Sequence, residues 1–276
     1  MKFARPFLLL ALLLPITLRA ADSPWQRVIM IGASASAGFV LSEPFGGTNT
    51  TECKLSYYLD AAITAPHPPI KNLSTALLFL NPDTFAPMQV SIVTNSHPTL
   101  VIAVDFMFWF CYGDGATDAD RARHFESGLK LLDKIPGPLV VGDVPDASAA
   151  ATTGIISDSQ VPSETARLAA NKRLREWAKA RGNVVVVPLA DFMRHTMANQ
   201  AVAFHGQSVP EGKTRSLLQP DLLHPNPRGA AMLTLAILDT LTSQNSKFPA
   251  KDIRWKANEV YRLGWASAQA AIRAGH

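Results

Sequence analysis

Short runs that are apolar at every position recur along this chain, and they constrain its fold more than any other feature. The clearest lie at residues 100–104 (LVIAV) and 184–187 (VVVV). A strand that is apolar on both faces belongs to a parallel sheet covered on two sides, whereas a half-exposed strand alternates apolar and polar residues. Longer amphipathic stretches separate the runs, and this alternation is typical of doubly wound α/β proteins.

The two patterns together predict the order of the elements. Strands are predicted at residues 27–31, 70–73, 100–104, 139–141 and 184–187, and helices at 55–63, 85–94, 118–134, 163–180, 227–241 and 255–272. Thr117 or Asp118 should cap the third helix and Ser163 the fourth, which Gly182 should end. The small and polar residues at 147–159 predict a loop. We therefore expect an α/β fold, a three-layer α/β/α sandwich with a five-stranded parallel sheet, with ligands bound at the carboxyl ends of the strands.

The first twenty residues have the pattern of a secretory signal peptide. A short basic start precedes an apolar run at residues 6–18, and small residues follow at Ala20 and Ala21. The run is too short to span a bilayer. We expect residues 1–20 to be removed and residues 21–276 to fold as one domain. The mature protein would then be secreted or periplasmic and hold no stable membrane span; an uncleaved N-terminal anchor is the alternative.

Charge and cysteine content narrow the function classes. The chain has 26 Lys and Arg against 22 Asp and Glu, and removal of the signal peptide would leave the two signs nearly balanced. This balance does not predict a nucleic-acid partner. Cys53 and Cys111 either form one disulfide or remain two buried thiols. His195 and His205 have no zinc-binding spacing with cysteine or glutamate, so no metal site is expected.

An acid three residues ahead of a histidine stands near the C-terminus, at Asp221 and His224. A carboxylate at this spacing can hold the tautomer of the imidazole and stabilise its charged form, which makes the histidine a general base. The alternative is that Asp221 caps a turn and His224 lies at the surface.

Such a base requires a nucleophile, and Ser34 is the candidate because it directly follows the first predicted strand. Gly32 permits a tight turn there. A serine at a helix start also brings its own backbone N–H toward a developing oxyanion. The alternative is that Ser34 is only a helix N-cap.

These two blocks resemble the SGNH (GDSL-type) hydrolase superfamily in order and spacing over nearly the whole mature chain. Residues 32–34 (GAS) stand where that family has Gly-Asp-Ser after strand one, and residues 221–229 (DLLHPNPRG) match its C-terminal Asp-x-x-His block. The resemblance implies a flavodoxin-like SGNH hydrolase fold and a serine esterase without a cofactor. Ser34 would attack an ester carbonyl, His224 would transfer the proton, and Asp221 would orient His224.

The middle blocks depart from the family pattern. The family supplies oxyanion donors from a glycine after strand two and an asparagine after strand three, but this chain has Asn72 and Asp105 in those regions. We expect Asn72 to replace the missing donor; its alternative role is to satisfy backbone groups at a strand end. Asp105 either donates a hydrogen bond as a protonated acid or, as we favour, accepts bonds from Ser36, Asn72 or the backbone as a scaffold.

The function expected from these residues is hydrolysis of a carboxylic ester by a catalytic triad and an acyl-enzyme. The substrate would be a small-molecule ester, an O-acetyl group on a glycan or a lipid ester. The aromatic residues at 106–112 should mostly pack in the core, and part of them could line an acyl or alcohol pocket. The alternative is a non-catalytic binding protein of the cell envelope with the same fold, favoured by the departures in the middle blocks.

Overall fold

The computed structural model describes residues 23–113, 115 and 117–275, so the expected signal peptide lies outside the described residues. Five strands form one parallel sheet in the order β2-β1-β3-β4-β5. The strands are β1 (Val28–Met30), β2 (Lys71–Asn72), β3 (Leu100–Ala103), β4 (Leu139–Gly142) and β5 (Val184–Val187). The predicted fold class, a three-layer α/β/α sandwich, is confirmed.

Helices cover both faces of this sheet. They are α1 (Ser34–Ala37), α2 (Thr48–Cys53), α3 (Leu55–Ala62), α4 (Pro82–Asn95), α5 (Phe108–Cys111), α6 (Asp118–Leu132), α7 (Glu164–Arg181), α8 (Leu189–Met197), α9 (Pro227–Gln244) and α10 (Ala257–Arg273). A short antiparallel hairpin, β6 (Val202–Phe204) and β7 (Gln207–Val209), follows α8. No helix within the described ranges is both long enough and apolar enough to cross a bilayer.

The alternating side chains of β1 divide the core into two clusters. Val28 and Met30 pack with apolar residues of α3, α9 and α10 on one face. Ile29 and Ile31 pack with residues of α4, α6 and α7 on the other. The three central strands β1, β3 and β4 are buried at every position, so unbroken apolar runs are the pattern that they require.

The predicted helix boundaries are close to those observed because local capping groups set them. Thr117 accepts a hydrogen bond from the Asp120 N–H, and Ser163 accepts one from the Ala166 N–H. Gly182 ends α7 with a positive φ of 74°. The second predicted helix starts earlier than expected, at Pro82, since the side chain of Asn81 caps it.

Some elements were not predicted. The amphipathic helix α8 and the β6–β7 hairpin both escaped the sequence pattern. The segment predicted as a loop at 147–159 contains two short 3-10 helices, Ser148–Thr153 and Asp158–Gln160.

Both cysteine thiols are free and buried. Burial is the main cause that raises the pKa of Cys53 and of Cys111 to about 12 each, so both thiols stay protonated and unreactive near neutral pH. The structure therefore contains the pair of buried thiols and not the disulfide that the sequence left open.

The strand order reverses at β1, which pairs with β2 on one side and with β3 on the other. Such a switch point leaves a crevice at the carboxyl ends of the strands, where open α/β sheets bind ligands. Ser34 follows β1 and Asp105 follows β3, so the fold places both beside this crevice.

Candidate active site

Ser34 lies at the first position of α1, in the crevice. The residue before it, Ala33, occupies the N-cap position and has no side chain that could cap the helix. The Ser34 hydroxyl does not cap the helix either, since its Oγ lies 2.8 Å from Nε2 of His224. The N-cap alternative for Ser34 is therefore wrong, and its side chain faces the histidine.

Asp221 and His224 form a compact, buried turn. One carboxylate oxygen, Oδ1, accepts the backbone N–H groups of Leu223 (3.0 Å) and His224 (2.9 Å). The other, Oδ2, lies 2.8 Å from Nδ1 of His224. Asp221 and His224 are only 5% and 3% exposed, so the alternative of a surface histidine is wrong. With Nδ1–H donating to the carboxylate, Nε2 is the nitrogen that accepts a hydrogen bond from the Ser34 hydroxyl.

Neighbouring residues hold this turn against the Ser34 loop. Gln219 donates from its amide to the carbonyl oxygens of Phe39 (2.8 Å) and Pro225 (3.1 Å), and its backbone N–H donates to the His224 carbonyl (2.8 Å). Phe39 also packs against the His224 ring, with centroids 4.8 Å apart. Gln219 thus ties the chain after the nucleophile to the chain around the base.

The rest of the Pro-Asn-x-x-Gly run has a structural role. Asn226 caps α9 by accepting the N–H groups of Arg228 (3.1 Å) and Gly229 (3.0 Å). A Cβ at Gly229 would lie 2.0 Å from the Leu217 carbonyl oxygen, so only glycine fits there. These residues fix where α9 begins, and with it the position of His224.

The charge of Asp221 is set by two opposing influences. Burial, the largest of them, acts to raise its pKa. The effect of burial is outweighed by contacts with His224, whose ring and backbone N–H donate hydrogen bonds and whose ring charge attracts the carboxylate, and by the Leu223 N–H. The pKa of Asp221 therefore lies below its ordinary value of 3.8. Asp221 is therefore ionised wherever His224 can act as a base.

Asp221→Asn should reduce stability in a pH-dependent way. We expect the variant to lose about 1.5–3 kcal/mol of unfolding free energy at neutral pH, because the carboxylate accepts three hydrogen bonds in a buried turn. A carboxyl whose folded-state pKa is depressed stabilises the fold above its unfolded pKa, and this contribution is lost as pH falls through the folded pKa. The difference between wild type and variant should therefore vanish in acid, below the ordinary aspartate range.

Urea unfolding of both proteins between neutral pH and pH of about 2 measures this difference. Asp158→Asn, which changes an exposed acid, is the matched control and should show no comparable loss at neutral pH. A constant difference between wild type and Asp221→Asn across the pH range would contradict the assigned role of the carboxylate.

Asp105 is the centre of a hydrogen-bond scaffold beneath Ser34. Its Oδ1 accepts the Ala33 N–H (3.0 Å) and the Ser36 hydroxyl (2.7 Å), and its Oδ2 accepts the Ser36 N–H (3.0 Å). An ionised carboxylate, which only accepts hydrogen bonds, matches these three donors. The contacts are those of the scaffold role favoured from the sequence, although the donors differ in part, since Asn72 does not bind Asp105.

Gly32 makes this scaffold possible. Its φ is 149°, and a Cβ at this position would lie 2.0 Å from Oδ1 of Asp105. The glycine is therefore needed both for a backbone conformation that L side chains rarely adopt and for the close approach of the carboxylate.

Gln89 is a site-supporting residue that sequence reasoning missed. It lies on α4, is only 4% exposed, and pairs with both backbone groups of Gly32: Oε1 accepts the N–H (2.9 Å) and Nε2 donates to the carbonyl (3.0 Å). The sequence signal that could have indicated this role is a glutamine among apolar residues on the buried face of α4. Its partner, 57 residues away, could not be read from that signal.

Asn72 does not serve as the oxyanion donor that the sequence analysis expected. Its amide donates both hydrogens elsewhere, to the Ser36 carbonyl (3.1 Å) and to Oγ of Ser56 (3.3 Å), and its Oδ1 accepts the Ser74 N–H (2.9 Å). An amide has only two hydrogens to donate. The expectation is therefore wrong, and Asn72 has the alternative role of satisfying groups at its strand end.

Two backbone donors remain open beside the nucleophile. The Ala33 and Ser36 N–H groups are bound by Asp105, whereas those of Ser34 and Ala35 have no acceptor among the described residues. Both open groups lie in the first turn of α1, where backbone N–H groups favour negative charge. These two N–H groups are the open donors nearest in sequence to Ser34 Oγ.

Asp143, which follows β4, is a second buried acid beside the crevice. Its Oδ1 accepts the Ala190 N–H (2.7 Å) at the start of α8, and its Oδ2 pairs with the guanidinium of Arg175. Burial is the main cause that raises the pKa of Asp143, and the bonds to Ala190 and Arg175 act against it. The contacts make Asp143 an anchor for α8.

A cleft opens directly beside Ser34 and His224. It has a volume of about 80 Å³, and apart from Ser34, His224, Asp105 and Asp143 its lining side chains are apolar. No group of three or more metal-binding side chains occurs in the described part of the chain. The arrangement is thus a serine, a buried histidine and a carboxylate at the edge of an apolar cleft.

The chain was compared with known proteins by sequence and by structure. No protein-family model and no curated protein matches the chain. Among solved structures, it is similar to the protein YxiM from Bacillus subtilis, at 16% identity and a TM-score of 0.44 over 79% of this chain and 56% of that one. It is also similar to BT4096, a gut microbial diltiazem-metabolizing enzyme, at 16% identity and a TM-score of 0.45 over 78% of this chain and 46% of that one. The chain spans about half the length of these two proteins.

Proposed function

We propose that this protein is a serine hydrolase that cleaves a carboxylic ester, with Ser34 as nucleophile, His224 as general base and acid, and Asp221 as the residue that orients His224. The single observation that carries the proposal is the continuous chain of two hydrogen bonds, each 2.8 Å, from Ser34 Oγ through the His224 ring to Asp221. A serine hydroxyl that is bound to a buried imidazole, which is itself bound to a buried acid, is the arrangement that activates serine for acyl transfer.

The reaction follows from this geometry in two halves. Ser34 Oγ attacks the ester carbonyl carbon while its proton passes to Nε2 of His224, and Asp221 stabilises the imidazolium that forms. The tetrahedral intermediate then expels the alcohol, which takes that proton and leaves an acyl-serine. In the second half a water molecule gives its proton to Nε2 and attacks the acyl carbon. Collapse of this second intermediate returns the proton to Ser34 and releases the carboxylic acid.

The oxyanion of each intermediate would be bound by the open N–H groups of Ser34 and Ala35. Removal of a single oxyanion donor typically costs about 10²–10³ in rate, so the position of these two groups would contribute strongly to catalysis. Asp105 and Gln89 support this assignment because they fix the backbone on both sides of Ser34 and leave only these two N–H groups unbound.

A second candidate is a non-catalytic envelope-binding protein with the same fold. The observation that favours it is the engagement of both Asn72 amide hydrogens, which leaves the site without the side-chain oxyanion donor expected from the sequence resemblance. In either case we propose that residues 1–20 direct export, so that the protein acts in the periplasm or outside the cell.

Labelling with a fluorophosphonate probe distinguishes the two candidates. We expect the folded wild type to be labelled on Ser34, because the probe phosphonylates only a serine whose proton a neighbouring base removes. Ser34→Ala should abolish labelling, whereas Ser91→Ala, on the exposed face of α4, should leave it unchanged. Absence of labelling in a folded wild type, or equal labelling of Ser34→Ala, would reject the hydrolase and favour the binding protein.

A further inference from the structure

We propose that the cleft beside Ser34 binds an apolar chain of the substrate that is several methylene-sized groups long, and that it is not built to receive a sugar ring. This inference names the substrate class of the same site, so it rests on the proposed function. The carrying observation is a cleft that adjoins Ser34 and His224 and whose other lining side chains are apolar, apart from two acids that already bind protein donors.

The composition of the lining is the first step. Besides Ser34 and His224, the cleft is formed mainly by apolar side chains from α5, α8, α9 and the loops that follow β4 and precede α9. They include Phe108, Val144, Phe192, Met193, Leu223 and Leu233. Phe192, Met193 and Leu223 are half-buried, so apolar surface in the cleft faces solvent when the site is empty. Burial of a hydrocarbon chain against such a surface is favourable.

The two acids in the lining leave the cleft mainly apolar. The Asp105 carboxylate is occupied by the Ala33 N–H and by Ser36, and that of Asp143 by the Ala190 N–H and Arg175. Each carboxylate already accepts hydrogen bonds from protein donors, and Ser34 and His224 are the other polar side chains of the lining. A sugar ring in the cleft would give up the water bound to its hydroxyl groups and gain few hydrogen bonds in return, which weakens binding.

The size of the cleft is the second step. Its volume of about 80 Å³ is several times the roughly 10–15 Å³ of cavity volume that one water molecule needs, and a methyl group is of similar size to water. An acetyl group would leave most of the cleft empty or filled with poorly bonded water. A butyryl or slightly longer chain would displace that water and bury its methylene groups.

The apolar chain could belong to the acyl group or to the alcohol of the ester, and two substrate series distinguish these sources. The first keeps p-nitrophenol as leaving group and lengthens the acyl chain from acetate to octanoate. The second keeps acetate and lengthens the alcohol from methyl to hexyl. We expect kcat/KM to rise roughly fourfold for each methylene buried in one of the series, until the cleft is full.

A substitution at the cleft tests whether this length dependence arises there. Met193→Trp, on α8, should fill the cleft and lower kcat/KM for hexanoate by roughly tenfold or more, and it should lower kcat/KM for acetate by a smaller factor. Met88→Trp makes the same change on α4 at a side chain that is 58% exposed and outside the cleft, and it should leave the profile of wild type intact.

The outcomes separate this inference from the proposed function. If Ser34 is labelled by the fluorophosphonate but acetate is the best substrate in both series, or if an O-acetylated glycan is cleaved faster than every simple ester, the apolar-chain inference is overturned and the hydrolase stands. An unchanged length profile in Met193→Trp also overturns it. If Ser34 is not labelled and no ester is cleaved, the proposed function fails and the inference fails with it.

Discussion

His224→Ala is expected to lower kcat/KM for p-nitrophenyl butyrate by roughly 10⁴- to 10⁶-fold. His224 is the base that contacts Ser34 Oγ among the described residues, so its removal leaves the hydroxyl proton without that acceptor. Asp221 would also lose its hydrogen-bond partner and remain as a buried, partly uncompensated carboxylate. The loss should appear in kcat as well as in kcat/KM, because proton transfer occurs in the transition state and not in substrate binding.

The control for this experiment is His195→Ala. His195 lies on α8, and its Nδ1 contacts only the Asp191 carbonyl on its own helix. The His195→Ala variant should therefore keep the wild-type kcat/KM. The double variant Ser34→Ala/His224→Ala should be no slower than either single variant, since residues that act as one unit are not additive. If His224→Ala retained a tenth of wild-type activity while circular dichroism showed a native fold, the assignment of His224 as base would be rejected.

Asp105→Asn is expected to reduce kcat/KM by about 10²–10³, although Asp105 does not touch the reacting atoms. Asparagine preserves the size of the side chain but replaces one acceptor oxygen by an NH₂ group. That group would face either the Ser36 N–H, or the Ala33 N–H and the Ser36 hydroxyl, so at least one backbone donor would oppose a donor. The turn that aims the Ser34 hydroxyl and its N–H would shift in response.

Stability measurements separate positioning from general unfolding. We expect Asp105→Asn to lose about 1–3 kcal/mol of unfolding free energy in urea, the cost of a buried donor left without an acceptor. Ser36→Ala, which removes one hydroxyl bond and leaves both backbone bonds, should lose less in stability and in rate. If Asp105→Asn kept or exceeded wild-type kcat/KM, the carboxylate would be a burden on the site and not its scaffold.

The parts of the site that could be predicted from the sequence are those encoded by local contacts. Asp221 and His224 are three residues apart, and the turn that joins them forms within that stretch by bonds from Asp221 to the next backbone groups. Asn226 and Gly229 likewise act within one helix start. Their chemistry was predictable because each partner lies a few residues away.

The interpretation of Asn72 was wrong for a physical reason. A strand end offers several unpaired backbone groups, and an asparagine there can donate to any acceptor that the fold brings near. In this structure the Ser36 carbonyl and the Ser56 hydroxyl take both hydrogens. Their positions depend on how α1 and α3 pack beside β2, which no local pattern contains. The same holds for Gln89, whose two bonds to Gly32 cross from α4 to the end of β1.

The sequence by itself determined the class of the fold and the pairing of Asp221 with His224 within one turn. Strands apolar on both faces must lie inside a covered parallel sheet, and an Asp-x-x-His turn prepares a histidine to accept a proton. Only the tertiary structure decided that Ser34 Oγ meets His224 Nε2, that Asp105 and Gln89 hold the turn between them, and that the adjoining cleft is apolar. These are contacts between residues far apart in the chain, and they exist only once the sheet order and the packing of the helices bring the strand ends together.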